Sequence, residues 1–326
     1  MLSAVIFVAC NSVFFYYLWH VSGLITKPDE ALVSMLSTGI VLLGVFQVAQ
    51  FVTGFGSAPT GKFNEGMLST GVTLPNQLAW CTMEQPSFLI PCVLLVSAVL
   101  SHTLLHPSRP GFFLLCLFCT HYFQRAYVYP CLTRSGRGYP VHAWAFAMLF
   151  TACNGTMMAS DLLFPAYGVP NTQRSIAELT SPRALAGIGL FFLGMVRRPA
   201  LPLSPLGSAC LRVFGGAKGL RARLVSQGLN VHSDYILRNL RRPGESAYKI
   251  PRGGLFELVS GANFVAEIIE WSGFALACYP ARAPLAFAAF NWMGIGTRAI
   301  STHAWNLQRF GEKYPRGRKR LIPFVW

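Results

Sequence analysis

The chain has 326 residues, of which 53% are hydrophobic, 13% aromatic and only 12% charged, with a mean hydropathy of +0.44. Soluble domains carry about 25% charged residues, so an ordinary soluble fold is excluded and an all-α, polytopic transmembrane helix bundle is expected. The net charge of +15 would suit nucleic acid, but no aromatic-interleaved basic patch stands apart from the membrane edges, and no nucleic-acid partner is expected.

A membrane-crossing helix needs roughly 20 apolar residues. Segments of that kind run at 2–20, 31–53, 81–104, 111–129, 142–164, 184–195 with a continuation beyond it, 255–278 and 284–300. The first has no charged n-region and no small-residue cleavage site, so it reads as a retained helix. If the segments alternate across the bilayer, Lys and Arg gather on one side, apart from Lys27, Arg109, Arg174, Arg183 and Arg282. The positive-inside rule then puts both termini in the cytoplasm.

The loop 54–79 contains FGSAPTGKF. Its glycines beside Lys62 could approach a phosphate, but the full phosphate-loop pattern is missing, and the loop reads as flexible and cytoplasmic. Next comes WCTMEQPSF. Pro86 suits a first helical turn, which puts Glu84 at a helix mouth, the one acid of its segment. Two readings stay open: a partly desolvated carboxyl that favours its protonated, hydrogen-bond-donating form, or a carboxylate near the positive end of a helix dipole.

The segment 111–129 ends in HYFQRAYVYP. Tyr122, Arg125 and Tyr129 fall at i, i+3 and i+7, a spacing that puts two phenols and a guanidinium on one helical face. Tyr127 and Tyr129 read as an interfacial aromatic belt. Tyr122 is deeper, and a buried phenol needs a partner; a substrate carbonyl would serve. His102, His106 and His142 lie near segment ends and read as interfacial.

The nine cysteines are scattered through apolar runs, and the Cys116–Cys119 pair has neither a second pair nor a histidine at ligand spacing. No metal site is expected. The sequon at Asn154 lies within a predicted span and is not expected to be glycosylated. Residues 196–229 are rich in Pro and Gly, with charges of positive sign only. They read as a cytoplasmic loop insertion resting on anionic lipid headgroups.

Residues 230–271 carry the densest set of polar groups in the chain. They run into an apolar segment that holds Asn263, Glu267 and Glu270 at i, i+4 and i+7, on one helical face. Charge at the edge of hydrocarbon is costly, so such a face is expected to line a cavity for a polar ligand.

Here the residues resemble a family. NVHSDYILRNLRRPGE, YKIPRGGLFELVSGANFVAEIIEW and the terminal YPRGRKRLIPFVW look like the membrane steroid 5-alpha-reductases. The likeness extends back through HYFQRAYVYP and the Glu84–Phe88 element to about Ala31. It implies a domain over 31–326, with a seven-helix transmembrane core and the 196–229 insertion, preceded by an extra helix within 1–30. It further implies NADPH as hydride donor and reduction of the 4,5 double bond of a 3-oxo-4-ene steroid in the endoplasmic reticulum membrane. By the same resemblance Glu84 and Tyr122 hold the steroid 3-keto oxygen, and Asn230, Asp234, Arg241, Tyr248, Asn263, Glu267 and Arg298 contact the cofactor. The partners implied are a steroid or other apolar enone and membrane lipid, with oligomeric state open and a monomer compatible.

Chemistry agrees with those roles. Hydride delivered to the beta carbon of an enone pushes negative charge onto the carbonyl oxygen, so a donor aimed at that oxygen lowers the barrier by roughly 3 to 4 kcal/mol in a dry site. Cofactor phosphates need cations, and Arg241, Arg242, Arg252 and Arg298 supply them. No GxGxxG occurs, so a Rossmann site is not implied. Two other readings remain: a reductase of another enone or enoyl lipid, such as an enoyl-CoA or polyprenol, and a non-catalytic lipid-binding relative. The chain also departs from the family's pattern. It has Asn306 where a phenol is usual, an additional residue near Gly311, and Met83 where glutamine is common.

Overall fold

The computed structural model describes residues 30–53, 72–100, 110–133, 138–163, 176–195, 229–240, 245 and 247–325. The expected helix at 2–20, the Lys62 loop, residues 196–228 of the insertion, Arg241 and Arg242 lie outside the described residues.

The architecture is all-α. Its main helices are α1 (Glu30–Thr53), α2 (Asn76–Glu84), α3 (Pro86–Leu100), α4 (Pro110–Phe123), α5 (Val141–Leu163), α6 (Pro182–Met195), α7 (Leu229–Asn239), α8 (Ala262–Cys278) and α9 (Arg282–Phe310). One short antiparallel pairing joins Thr73–Leu74 to Tyr139–Pro140. Two described helical stretches are long and apolar enough to cross a bilayer, Ala31–Thr53 with 23 residues and Asn76–Val96 with 21. Met35, Leu42, Phe46 and Val52 of α1 and Phe146 and Leu149 of α5 are exposed.

Local chemistry fixes the helix ends. Ser181 caps α6, its Oγ accepting the Ala184 N–H at 3.2 Å. Asp161, buried on α5, accepts the Ala283 N–H at 2.7 Å and so satisfies an orphan donor at the start of α9. Pro86 begins α3 as its spacing predicts. The chain before it is helical as well, so Glu84 ends α2 at a break inside a single apolar span rather than at a helix mouth. The cause is the missing N–H of Pro86, which interrupts the backbone ladder there.

Described residues fall into two compact units, Met1–Ile188 with Trp271–Arg298, and Gly189–Glu270 with Ala299–Trp326. In the first, α5 carries polar side chains that grip α2 and α3. Trp144 Nε1 donates to Thr82 Oγ1 at 2.8 Å, Thr151 Oγ1 to the Met83 carbonyl at 2.6 Å, and Ser87 Oγ to the Thr151 carbonyl at 2.8 Å. Such interhelical bonds contribute on the order of 0.6 to 2 kcal/mol each between membrane helices. The helices come close here because residue 155 is glycine. A Cβ at that position would lie 2.9 Å from the Pro86 carbonyl oxygen and 3.0 Å from the Ser87 Cα.

In the second unit the C-terminal tail pairs alongside residues 258–260. Ser260 N–H donates to the Lys319 carbonyl at 2.9 Å and Lys319 N–H to the Leu258 carbonyl at 2.8 Å. Gly311, beside the expected additional residue, has φ +53, and this left-handed backbone ends α9. Gly254, at φ +56, sits where a Cβ would come within 2.8 Å of the His232 ring of α7, so α7 and the following loop pack as closely as they do only with glycine.

Candidate functional site

The candidate residues form one group in each unit. In the first unit Tyr122 lies near the end of α4, buried, with its ring against Phe118, His121 and Trp271 at centroid distances of 4.7, 5.0 and 6.0 Å. Asn154 Nδ2 of α5 donates to the Tyr122 oxygen at 2.8 Å. A phenol this deep in an aromatic cage needs a polar partner, and α5 provides one.

Just beyond Tyr122 the helix widens into a π-helical stretch, Gln124–Val128, before the turn Tyr129–Leu132. Extra residues in a turn re-aim the side chains that follow, and such widenings recur at functional sites. The guanidinium of Arg125 lies over both Trp80 and Tyr129, at 5.0 and 4.9 Å from the centroids of two rings that meet each other edge-to-face at 5.3 Å, while Tyr122 meets α5. Arg125 Nε also lies 4.0 Å from Glu84 Oε1, the outer limit of an ion pair. Glu84 and Tyr122 are thus both tied to one helix turn of α5. Thr151 holds the Met83 carbonyl beside Glu84, and Asn154 holds the phenol.

The second unit gathers most of the other candidates. Asn230 and Asp234 lie on the buried side of α7, and Asn263 and Glu267 are half-buried on α8. Tyr248 is more exposed, its ring edge-to-face with Trp305 at 4.9 Å. Glu270, the third member of the polar face read from the sequence, is fully buried and accepts a hydrogen bond from Asn230 Nδ2 at 3.3 Å. Arg298 is half-buried on α9 and belongs to the first unit. Arg241 is outside the described residues.

Near the C-terminus a relay of polar groups occupies the place of the missing phenol. Asn306 Nδ2 donates to Tyr314 Oη at 3.3 Å, Tyr314 Oη donates to Ser260 Oγ at 2.8 Å, and Ser260 Oγ lies 2.5 Å from His303 Nδ1. With Ser260 accepting from Tyr314, its own hydrogen is available to a neutral imidazole. Burial, helped by the nearby positive charge of Arg320, holds the His303 imidazole below its usual pKa and so favours that neutral form.

Two groups here were not read as site residues from the sequence. The sequence offers Asn154 only as a sequon not expected to be glycosylated, and its burial against Tyr122 reveals its place. In the sequence Arg318 is one of the positive residues gathered on one side of the membrane. Its guanidinium is fully buried, with Nη2 3.5 Å from Glu257 Oε2, while Nε and Nη1 have no hydrogen-bond partner among the described residues. Glu257 also accepts the Gly253 N–H at 2.6 Å.

A family model described as 3-oxo-5-alpha-steroid 4-dehydrogenase matches residues 218–326. The chain is 40% identical over 266 residues to 3-oxo-5-alpha-steroid 4-dehydrogenase 2 of Sus scrofa, a span of 82% of this chain and 87% of that protein. It is 40% identical over the same shares to the type 2 protein of Homo sapiens. Against the human type 1 protein it is 36% identical over 78% of this chain and 81% of the relative.

Proposed function

The chain belongs to the steroid 5-alpha-reductase family of oxidoreductases, the 3-oxo-5-alpha-steroid 4-dehydrogenases, and from that premise we propose that it reduces the 4,5 double bond of 3-oxo-4-ene steroids with NADPH. The observation that carries this reading is the buried Tyr122 hydroxyl, held by Asn154 in an aromatic cage. A flat, greasy ketone fits such surroundings, and the phenol is a donor for its oxygen. The protein is proposed to lie in the endoplasmic reticulum membrane as a seven-helix core, with its cofactor residues facing the cytoplasm. The apolar exteriors of α1 and α5 and the one-sided distribution of Lys and Arg support that placement.

When bound, NADPH supplies a hydride to C5. The residues present suit such a cofactor. A buried guanidinium with two nitrogens that have no hydrogen-bond partner among the described residues, as at Arg318, suits an anionic acceptor, and a phosphate oxygen provides one. Asn230, Asp234, Tyr248, Asn263, Glu267, Arg298 and Arg241 are the further residues assigned to holding it. Tyr122 donates to the steroid 3-keto oxygen as that oxygen gains negative charge, and protonated Glu84 donates alongside it. In its protonated form Glu84 keeps a carbonyl oxygen for Arg125 and turns its hydrogen to the ketone. The cage excludes water, which makes both donors count for more than in solvent. Protonation at C4 completes the reduction.

Substitution at Glu84 tests its share. Glu84→Leu, with no donor, is expected to lower kcat by about 10²- to 10³-fold. Glu84→Gln, whose amide still donates, should fall less. The check is NADPH oxidation by detergent-purified protein with testosterone or progesterone. A Gln variant as inactive as the Leu variant would mean that the ionised carboxylate, not a donated hydrogen, is what the reaction needs. Wild type that binds NADPH and ignores every 3-oxo-4-ene steroid would move the substrate to another enone or enoyl lipid. Failure to bind NADPH at all would favour a non-catalytic lipid-binding role.

A further inference from the structure

We propose that Asn154 is a positioning residue that sets the direction in which the Tyr122 hydroxyl donates, with Ser87 and Thr151 fixing the orientation of its amide. This rests on the reading of Tyr122 as the ketone donor. The Thr151 carbonyl can only accept. Ser87 Oγ lies 2.8 Å from it and therefore spends its single hydrogen there. What remains on the Ser87 oxygen is lone pairs, so the end of the Asn154 amide that faces it, 3.4 Å away, has to be the donating Nδ2. The same Nδ2 reaches the Tyr122 oxygen at 2.8 Å. Tyr122 consequently accepts from Asn154 and directs its own hydrogen to a different acceptor. Rotating the amide by half a turn would reverse this: the phenol would donate to Asn154 and withhold its hydrogen from a ketone.

The arrangement has a cost that packing alone does not explain. Asn154 is fully buried, and its Oδ1 is without a hydrogen-bond partner among the described residues. An unmet buried acceptor is unfavourable, and a leucine, with the same branched skeleton, would avoid it. Gly155, the next residue, allows the close approach to Ser87 on which the orientation depends. Thr151, one turn earlier, also holds the Met83 carbonyl beside Glu84. One turn of α5 therefore registers both ketone donors, and a shift of that turn moves them together.

The test is a double-mutant cycle on steroid turnover, with Asn154→Leu and Tyr122→Phe made singly and together. Asn154→Leu alone is expected to lower kcat on the order of 10- to 100-fold, with cofactor affinity unchanged. In the Tyr122→Phe background the same substitution should cost less than about twofold, because a group that acts through a hydroxyl has nothing to act on once the hydroxyl is gone. Equal losses in both backgrounds would overturn the inference while leaving the role of Tyr122 intact. Full turnover by Tyr122→Phe would instead overturn the reading of the ketone donor, and the inference with it. Asn154→Asp provides an independent readout should the leucine variant not accumulate as folded protein. Its ionised carboxylate only accepts and would capture the Tyr122 hydrogen, whereas its protonated form donates as the amide does. Relative to wild type, turnover by Asn154→Asp should therefore climb as pH is lowered, and a pH profile parallel to that of wild type would contradict the inference.

Discussion

Tyr122→Phe is expected to lower kcat for a 3-oxo-4-ene steroid by about 10²- to 10³-fold, the usual cost of removing one donor from a developing oxyanion. The substitution deletes a single oxygen. The ring contacts to Phe118, His121 and Trp271 stay, so the cage keeps its shape. Asn154 loses its 2.8 Å acceptor, a stability cost of about 1 kcal/mol. Cofactor affinity should not change, since none of the residues assigned to NADPH contributes a ring or a hydrogen bond to the cage. Steady-state turnover together with NADPH binding, followed by nicotinamide fluorescence, checks both halves. A Phe variant with wild-type kcat would show that the ketone is polarised elsewhere.

Gly155→Ala should damage both stability and turnover. The added Cβ would meet the Pro86 carbonyl oxygen at 2.9 Å and the Ser87 Cα at 3.0 Å, and both are backbone atoms that cannot rotate away. Relief requires α3 and α5 to separate. Overpacking of this kind costs about 1 to 3 kcal/mol. Separation also stretches the 3.4 Å approach of Asn154 to Ser87 and the 2.8 Å bond from Ser87 to Thr151, so the donors lose their register. Thermal unfolding in detergent should show a lower midpoint, and kcat should fall more than cofactor affinity. A variant with the melting point and turnover of wild type would mean that the two helices do not meet at this glycine.

Some of this site could be read directly from residue spacing, and some could not. Apolar runs marked α1, α4, α5 and α6 within a few residues, because burial in lipid or in the bundle asks for the same composition, but α8 begins at Ala262 rather than 255, α9 continues past 300 to Phe310, and α7 followed no apolar run. Asn263, Glu267 and Glu270 announced a polar helical face, and the structure adds that Glu270 is the most deeply buried of the three and meets Asn230. Other features depend on contacts far apart in the chain. A π-helical widening after Tyr122 has no signature in HYFQRAY, yet it changes which side chains share a face with the phenol. Asn154 looks like any sequon until α4 is laid against α5. Arg318 is one of a cluster of positive residues in YPRGRKR, and nothing local marks it as the buried one. Asn306 reads as the loss of a phenol, whereas in three dimensions its amide begins a relay through Tyr314, Ser260 and His303. Helix composition is local, but which polar group is buried, and against what, is decided by the packing of distant segments.

Hydride transfer from NADPH to C5 of a 3-oxo-4-ene steroid leaves an isotopic mark on the product. Detergent-purified protein would be given NADPH deuterated at the transferring position of its nicotinamide, with testosterone as substrate, and the product analysed by mass spectrometry and NMR. Wild type is expected to give a 5-alpha-dihydro product with one deuterium at C5, and Tyr122→Phe to form it far more slowly. Reduction at the 3-keto carbon, or a 5-alpha-reduced product without the label at C5, would contradict hydride transfer from NADPH to C5.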